Sequence, residues 1–501
     1  ANSKDQKNAV QVRNLNAKQL LDRGAQRIEE AGGVHRDVDA VLFRLFGNLY
    51  ENLEDFESAK RLHQRSVKVA EAAYGKQSKQ YAMAILDLAW VEGFGEIGKR
   101  IDLIEEAQAI LRRVAPNSEE LAQALYYEAE NVDRSDPARA ARAATESIRL
   151  LESFQGAIKL KATAYRSLGH AKRALGEFEP ALAAYRRSAE YFTQLSGPDN
   201  IEVGETIGGV SACLWQLLRL REAEEVGRKA VEITRPFDPE FVDAKVFGRS
   251  AQTMLAGLGR ANDAAAALQR IYDRLQDSDG KPHALKAGVS IAMANVELVR
   301  GDAQRAMELA QRSRKEMRWR THSVIAGGLN VLARAALDAD NLPVAREAIA
   351  ESRKIMLERG LPTPSVSALA RLSAELAAKE GRAEAAISEF DEAFSSTGKL
   401  RSEWTSPLSR VTNETTRARV LLLAGRAQEA ARLIEPWLHL RDGLELPHAL
   451  RAEVHLLASE AAVKLRSENA THLVAEARAI IGRVDVPHSA RLQRLSALNA
   501  Q

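Results

Sequence analysis

One small residue returns along this chain at an almost constant interval, and that interval restricts it to a narrow set of folds. Alanine stands at Ala140, Ala181, Ala223, Ala264, Ala306, Ala345, Ala386 and Ala430, with gaps of 41, 42, 41, 42, 39, 41 and 44 residues. Ala59 lies 81 residues before Ala140, two periods away, and Ala107 fills the place between them. A second series runs ahead of the first, through Gly47, Ala89, Glu128, Gly169, Ser211, Gln252, Ala294, Ala333, Ala374 and Ala418. Gly176-Glu177, Gly259-Arg260, Gly301-Asp302, Gly381-Arg382 and Gly425-Arg426 fall between the two series. Glycine at such a place supplies the left-handed stop of a helix. The pattern predicts paired helices: small residues let two axes approach, and bulky ones on either side fill the hairpin. A hairpin of this size cannot bury its own apolar face, so stacking on its neighbours completes the core. The expected fold is therefore all-α, a solenoid of about ten antiparallel hairpins with a C-terminal cap.

Composition and punctuation agree. Aromatic residues make up only 5% of the 501 residues. Alanine, leucine, arginine and glutamate dominate, side chains that lose little entropy in a helix. Pro116-Asn117, Gly197-Pro198-Asp199, Pro236-Phe237-Asp238-Pro239 and Pro362-Thr363-Pro364 mark breaks between hairpins. The second hairpin is irregular, with a longer turn expected around Gly93 to Gly98. Residues 1–18 read as a flexible lead-in, 19–447 as the repeat array and 448–501 as capping helices and tail, with His448 to Val484 as a closing helix pair.

The bulk properties point away from several functions. Lys plus Arg number 71 against 68 Asp plus Glu, a formal charge of +3, so no global field favours nucleic acid. Arg312, Arg314, Lys315, Arg318 and Arg320 around Trp319 form only a local basic cluster. One cysteine, Cys213, excludes a disulfide framework or a multi-cysteine zinc site and reads as a packed thiol. No apolar run approaches the roughly 20 residues that span a bilayer. His448 and His455 share a helical face, but Glu453 lies off it and Glu460 is badly spaced, so no metal is expected. Gly257-Leu258-Gly259 lacks the third glycine and the preceding strand of a dinucleotide site and reads as a hairpin turn. No constellation meets the geometric tests for catalysis, and no cofactor is expected.

Two segments carry a family likeness. Phe43-x-x-Phe46-Gly47-x-x-Tyr50 with Asp55-Phe56, Ala59 and Ser66 resembles the tetratricopeptide repeat, as does Tyr165-x-x-Leu168-Gly169 with Gly176, Phe178, Ala181, Tyr185 and Ser188. The resemblance implies a right-handed superhelix whose first helix of each hairpin lines a concave groove. Residues three before, one after and four after the small position would then face that groove. They include Arg44, Asn48, Arg166, His170, Arg173, Arg249, Asn295, Asn330, Arg334, Arg371 and Arg419, with Trp90 and Trp215 beside them. Arg44 and Asn48 resemble part of a carboxylate clamp for a peptide C-terminus, although Asp87 stands where the next hairpin should offer asparagine. The mostly basic lining suggests an anionic or carboxylate-bearing ligand.

The segment Asn16-Ala17-Lys18-Gln19-Leu20-Leu21-Asp22-Arg23-Gly24-Ala25-Gln26-Arg27-Ile28, running into the Phe43 repeat and its close at Ala72-Ala73-Tyr74-Gly75, resembles the start of the C-terminal repeat region of bacterial transmembrane serine/threonine kinases. That resemblance implies a non-enzymatic sensor array on the periplasmic side of the inner membrane. It would bind a protein, a peptide or a small ligand, without inserting into the membrane, and a homodimer is compatible with it. None of the kinase motifs occurs in these 501 residues. The alternative is a cytoplasmic scaffold or transcription-regulator module that binds partner peptides.

Overall fold

The computed structural model describes residues 17–31, 36–92, 97–132, 135–238, 242–277, 282–316, 322–359, 363–394, 406–440 and 443–498. The lead-in up to Asn16, the Gly93–Glu96 part of the second turn, Pro239, Pro362 and Arg318 to Arg320 of the basic cluster lie outside these residues. Among the described residues there are 24 α-helices and no strand. The chain divides into two compact units, residues 1–171 and 172–501.

The first unit holds α1 (Ala17–Ala31), α2 (Arg36–Asn52), α3 (Phe56–Tyr74), α4 (Lys79–Val91), α5 (Ile97–Val114), α6 (Glu119–Val132), α7 (Pro137–Leu151) and most of α8 (Ile158–Ala174). The second continues with α9 (Phe178–Ser196), α10 (Ile201–Gln216), α11 (Leu220–Thr234), α12 (Val246–Gly257), α13 (Ala261–Arg274), α14 (Lys286–Val299), α15 (Ala303–Glu316), α16 (His322–Asp338), α17 (Leu342–Arg359) and α18 (Thr363–Lys379). It closes with α19 (Ala383–Phe394), α20 (Pro407–Leu423), α21 (Ala427–Ile434), α22 (His448–Lys464), α23 (Ala470–Ile481) and α24 (Ala490–Leu498). In chain order α2–α3 through α20–α21 are ten helix pairs, and α22, α23 and α24 follow them, so the all-α repeat architecture expected from the period is borne out.

The periodic small residues explain the pairing. Ala59, Ala107, Ala140, Ala181, Ala223, Ala264, Ala306, Ala345, Ala386 and Ala430, all on second helices, are at most 1% exposed. Facing positions Ala89, Ala294, Ala333 and Ala418 are fully buried too. A larger side chain at these crossings would force the helices apart, at about 1–3 kcal/mol each. Glu128 and Gln252 break the rule on the first helices, and both stay only half-buried.

Each described hairpin turn contains one left-handed residue. Gly176, Gly259, Gly301, Gly381 and Gly425 have φ between 72° and 88°. Glu54, Leu218, Asp340 and Arg466 occupy the same place in other turns with φ of 55° to 62°. Gly301 has a second reason to be glycine. A Cβ there would come within 2.4 Å of the Asp485 carboxylate and 2.6 Å of Ser489 Cβ, whereas Gly381 and Gly425 have open space. Gly301→Ala is therefore expected to cost about 1–3 kcal/mol and Gly381→Ala about 1 kcal/mol, as read from urea unfolding of the two variants.

Within the second unit, hairpins distant in sequence touch. Leu218 is fully buried in the cluster of Ala418, Leu421, Trp437, Leu446 and Val454. The Glu445 amide donates to the Leu218 carbonyl at 3.0 Å, and the Arg221 guanidinium meets the Glu445 carboxylate at 2.5 Å. Ser406 Oγ donates to Gln216 Oε1 at 3.1 Å. Burial of the leucine offsets the cost, about 1 kcal/mol, of its left-handed backbone. The α10–α11 turn thus packs on helices α20 to α22.

Candidate functional site

Two rows of polar side chains run across first helices, one in each unit. In the first unit α2, α4, α6 and α8 supply it. Trp90 on α4 stacks on Tyr127 of α6 with ring centroids 4.9 Å apart and planes at 27°, and Tyr126 meets Tyr127 edge-on at 5.3 Å. Trp90 nevertheless remains 37% exposed. Burial raises the Tyr127 hydroxyl pKa, and the carboxylates of Asp87, Glu51 and Glu130 add to the effect. Tyr126 is raised by burial and by Glu130 and moderated by Arg166.

The resemblance to a carboxylate clamp takes an unexpected form here. Arg44 is ion-paired with the buried carboxylate of Asp87. The chain itself thus supplies the carboxylate that a clamp arginine would take from a ligand. Burial pushes the Asp87 carboxyl up, and Arg44 opposes the shift. Glu51 accepts from the fully buried His63 ring at 2.7 Å, and the ring has room because Gly47 carries no Cβ. Asn48 is half-buried beside them on α2. On α8, Arg166 and His170 are half-buried, while Arg173, beyond the unit boundary, is exposed.

The second row belongs to the second unit and contains few of the residues singled out from sequence. Arg334 on α16 makes two parallel bonds to Glu375 on α18, at 2.7 and 2.8 Å, and a third to Asp338 at 2.5 Å. Arg419 on α20 reaches the same Glu375 at 2.6 Å and Glu453 on α22 at 2.7 Å. Arg494 on α24 ends the row, with two bonds of 2.9 Å to Glu460 and bonds of 3.1 and 3.4 Å to Glu453. The Glu375 side chain is only 2% exposed. Burial alone would raise its pKa, but Arg334 and Arg419 overcome that and hold the carboxyl far below the usual range. Burial is likewise overcome at Glu453, where Arg419 and Arg494 hold the carboxyl down to about 2. These charges line a cavity of about 540 Å³ together with Leu337, Leu422, Leu450 and Leu498.

Glu375 and Glu453 were legible and missed. Arg334, Glu375, Arg419 and Glu453 each follow the small residue of their helix, Ala333, Ala374, Ala418 and Ala452. The position one after the small residue alternates in charge, and a reading for basic residues passes over the acids. Arg494 and Asp338 carry no such signal. The other residues from sequence are placed apart from this cavity. Arg371 donates to Ser367 Oγ at 2.6 Å and to Asn413 Oδ1 at 2.9 Å. Asn330 Oδ1 accepts from Ser352 Oγ at 2.9 Å. Trp215 packs over Gly257, and the Arg249 guanidinium lies across Gly288, where any side chain would collide with each of them. Asn295 is half-buried on α14.

Other chemistry is sparse. Cys213 is fully buried, and burial pushes its thiol up to about 12, the state of an inert packed cysteine. Among the described residues no group of three or more His, Cys, Asp or Glu side chains is arranged to hold a metal ion, and no helix is long and apolar enough to cross a membrane.

The tetratricopeptide-repeat family model matches residues 160–235. No curated relative matches the chain. Among solved structures, the apo form of RapI is 13% identical, with a TM-score of 0.40, covering 56% of this chain and 98% of its own. A Rap protein complexed with competence and sporulation factor is 12% identical, with a TM-score of 0.46, covering 80% of this chain and 100% of its own. Aspartyl phosphate phosphatase F from Bacillus subtilis is 12% identical, with a TM-score of 0.43, covering 68% and 88%.

Proposed function

We propose that this chain is a non-catalytic recognition array that binds a protein or peptide segment along the first helices of its hairpins and serves a signalling protein. The observation that supports this most is the first-unit row, where Trp90 stays exposed although stacked on Tyr127, with Arg44–Asp87 and Arg166 in the same row. A rigid aromatic platform flanked by fixed charges suits an extended or helical segment bearing an apolar anchor and polar neighbours, the composition of binding hot spots. Arg166 and His170, half-buried on α8, continue the same row and are the candidates to meet an acidic group on the partner.

Peptides selected by display on the full chain provide the test. Trp90→Ala should weaken the selected peptides about 10- to 100-fold, and Arg166→Glu should weaken the acidic ones among them. Affinities unchanged in both variants, measured by calorimetry, would remove this row as the site.

The finer reading places the array as the sensor of a membrane-bound serine/threonine kinase, outside the cytoplasmic membrane. Its support is the resemblance of the segment from Asn16 to Ile28 and of the Phe43 repeat behind it. The reading frame upstream of Ala1 tests it directly. A kinase domain followed by one membrane helix is the expected content, and an upstream DNA-binding domain would overturn the assignment.

A further inference from the structure

The row in the second unit ends on a short helix with a small buried face. Helix α24 has nine residues, and only Leu495 among them is buried. Isolated helices of that length are not stable in water. What holds α24 is a short set of directed bonds. Arg494 binds Glu460 in fork fashion and also reaches Glu453. Arg491 donates to the Val299 carbonyl at 2.7 Å, at the C-terminal end of α14, while binding Asp485 at 2.8 Å. The Val486 amide donates to the Arg300 carbonyl at 2.8 Å. Leu495 enters an apolar pocket of Ala452, Leu456, Ala477, Ile480 and Ile481. A leucine anchor with two arginines one turn apart has the anatomy of a bound peptide helix.

The receiving surface is specific for such an occupant. Glu453 and Glu460 stand two turns apart on α22 and share the Arg494 guanidinium. Without it Glu460 loses its ion pair, and among the described residues Glu453 retains its pair with Arg419 and the charge of Arg491, beside a cavity lined by leucines. Carboxylates in such surroundings need a cation with directed donors, and a guanidinium fork supplies them. Lys464 lines the same cavity without replacing that fork. The cavity beside α24 stays open, so the occupant does not fill the groove. Asp485, which Arg491 binds, is fully buried and is faced by the nine-tenths buried His448 ring at 3.9 Å, so the seat of Arg491 is enclosed as well.

We propose that the inner face of the second unit is a binding site for an arginine- and leucine-bearing helical segment, that α24 fills it in cis, and that a partner segment of the same chemistry displaces α24. The pattern recognised is Arg-Leu-x-Arg-Leu-x-x-Leu, as in residues 491–498. The site is independent of the first-unit row, so either can fail without the other.

The test uses the full chain and a labelled synthetic peptide of residues 484–501, followed by fluorescence anisotropy. Arg491→Ala combined with Arg494→Ala should empty the site, and this double variant should bind the peptide at least 10-fold more tightly than wild type does. Peptide lacking both arginines, or Glu460→Gln added to the double variant, should lose at least 10-fold. A folded double variant that ignores the peptide, or that binds the arginine-free peptide equally well, overturns the proposal. Should the double variant fail to fold, amide exchange on wild type decides. Saturating peptide should speed exchange across Leu492–Leu498 at least 10-fold, and unchanged exchange overturns the proposal. A wild-type dimer that forms with concentration and disappears in Arg494→Ala would assign the site to a second copy and overturn the reading of a different partner.

Discussion

Glu375→Ala is expected to lower the unfolding free energy of the second unit by about 3–5 kcal/mol, read from urea denaturation at pH 7. Glu375 is nearly inaccessible and joins two arginines from neighbouring hairpins, Arg334 and Arg419, through bonds of 2.6 to 2.8 Å. Its removal leaves two guanidiniums close together with their shared anion gone. Arg334 retains Asp338, and Arg419 retains Glu453, so each keeps part of its satisfaction. The loss is therefore dominated by repulsion and by the donors left facing an apolar cavity. Glu375→Gln keeps an acceptor and should cost less. The exposed pair Arg228–Glu232 provides the contrast, since Glu232→Ala should change stability by less than about 1 kcal/mol. A Glu375→Ala loss as small as that would mean that the row contributes no more than ordinary surface pairs.

Acidification should weaken the second unit in two stages. His448 is buried, and burial together with the nearby Arg491, Arg451 and Arg483 lowers its pKa to about 4 from 6.5, against the opposing pull of Asp485. A histidine held neutral in the folded state binds fewer protons there than in the unfolded chain. Its contribution is complete above pH 6.5 and is lost as pH falls towards 4, on the order of 3 kcal/mol. Glu453 follows in the same direction. Its folded pKa of about 2 lies below the ordinary 4.5, so its stabilisation is present above pH 4.5 and disappears as pH falls towards 2. Glu375 extends the loss further into acid. Urea midpoints measured from pH 7.5 down to 3 should fall throughout, and His448→Asn should flatten the stage between pH 6.5 and 4. A wild-type midpoint that rises over that first interval would contradict the buried neutral imidazole.

The fold was legible because its cause is periodic. Ala140 to Ala430 stand where helices cross, and Gly176, Gly259, Gly301, Gly381 and Gly425 stand where the chain must turn left-handed. Both constraints act within one hairpin, so a single sequence displays them. The ionic row was half legible. Arg334 and Arg419 were found by their place after Ala333 and Ala418, and Glu375 and Glu453 occupy the same place with the opposite charge. The rest depends on contacts between segments far apart. Arg491 finds the carbonyl of Val299 192 residues away, and Glu445 finds Leu218, with no local pattern that announces either. Trp90 was picked out, but its partner Tyr127 lies on the next hairpin and sits one place before the half-buried Glu128, where the small-residue rule lapses.

The Leu218 contact changes what kind of object the second unit is. An open stack can gain or lose a hairpin at little cost, because each member is bonded only to the next. Here the α10–α11 turn is fastened to helices five hairpins further on. The number of hairpins between the two fastened points is therefore fixed, much as the number of staves is fixed by a closed hoop. Deleting one whole period from this stretch would break the seam even if every remaining neighbour fitted. The same closure links the melting of its ends, so this stretch should lose structure in one step and not fray inward hairpin by hairpin.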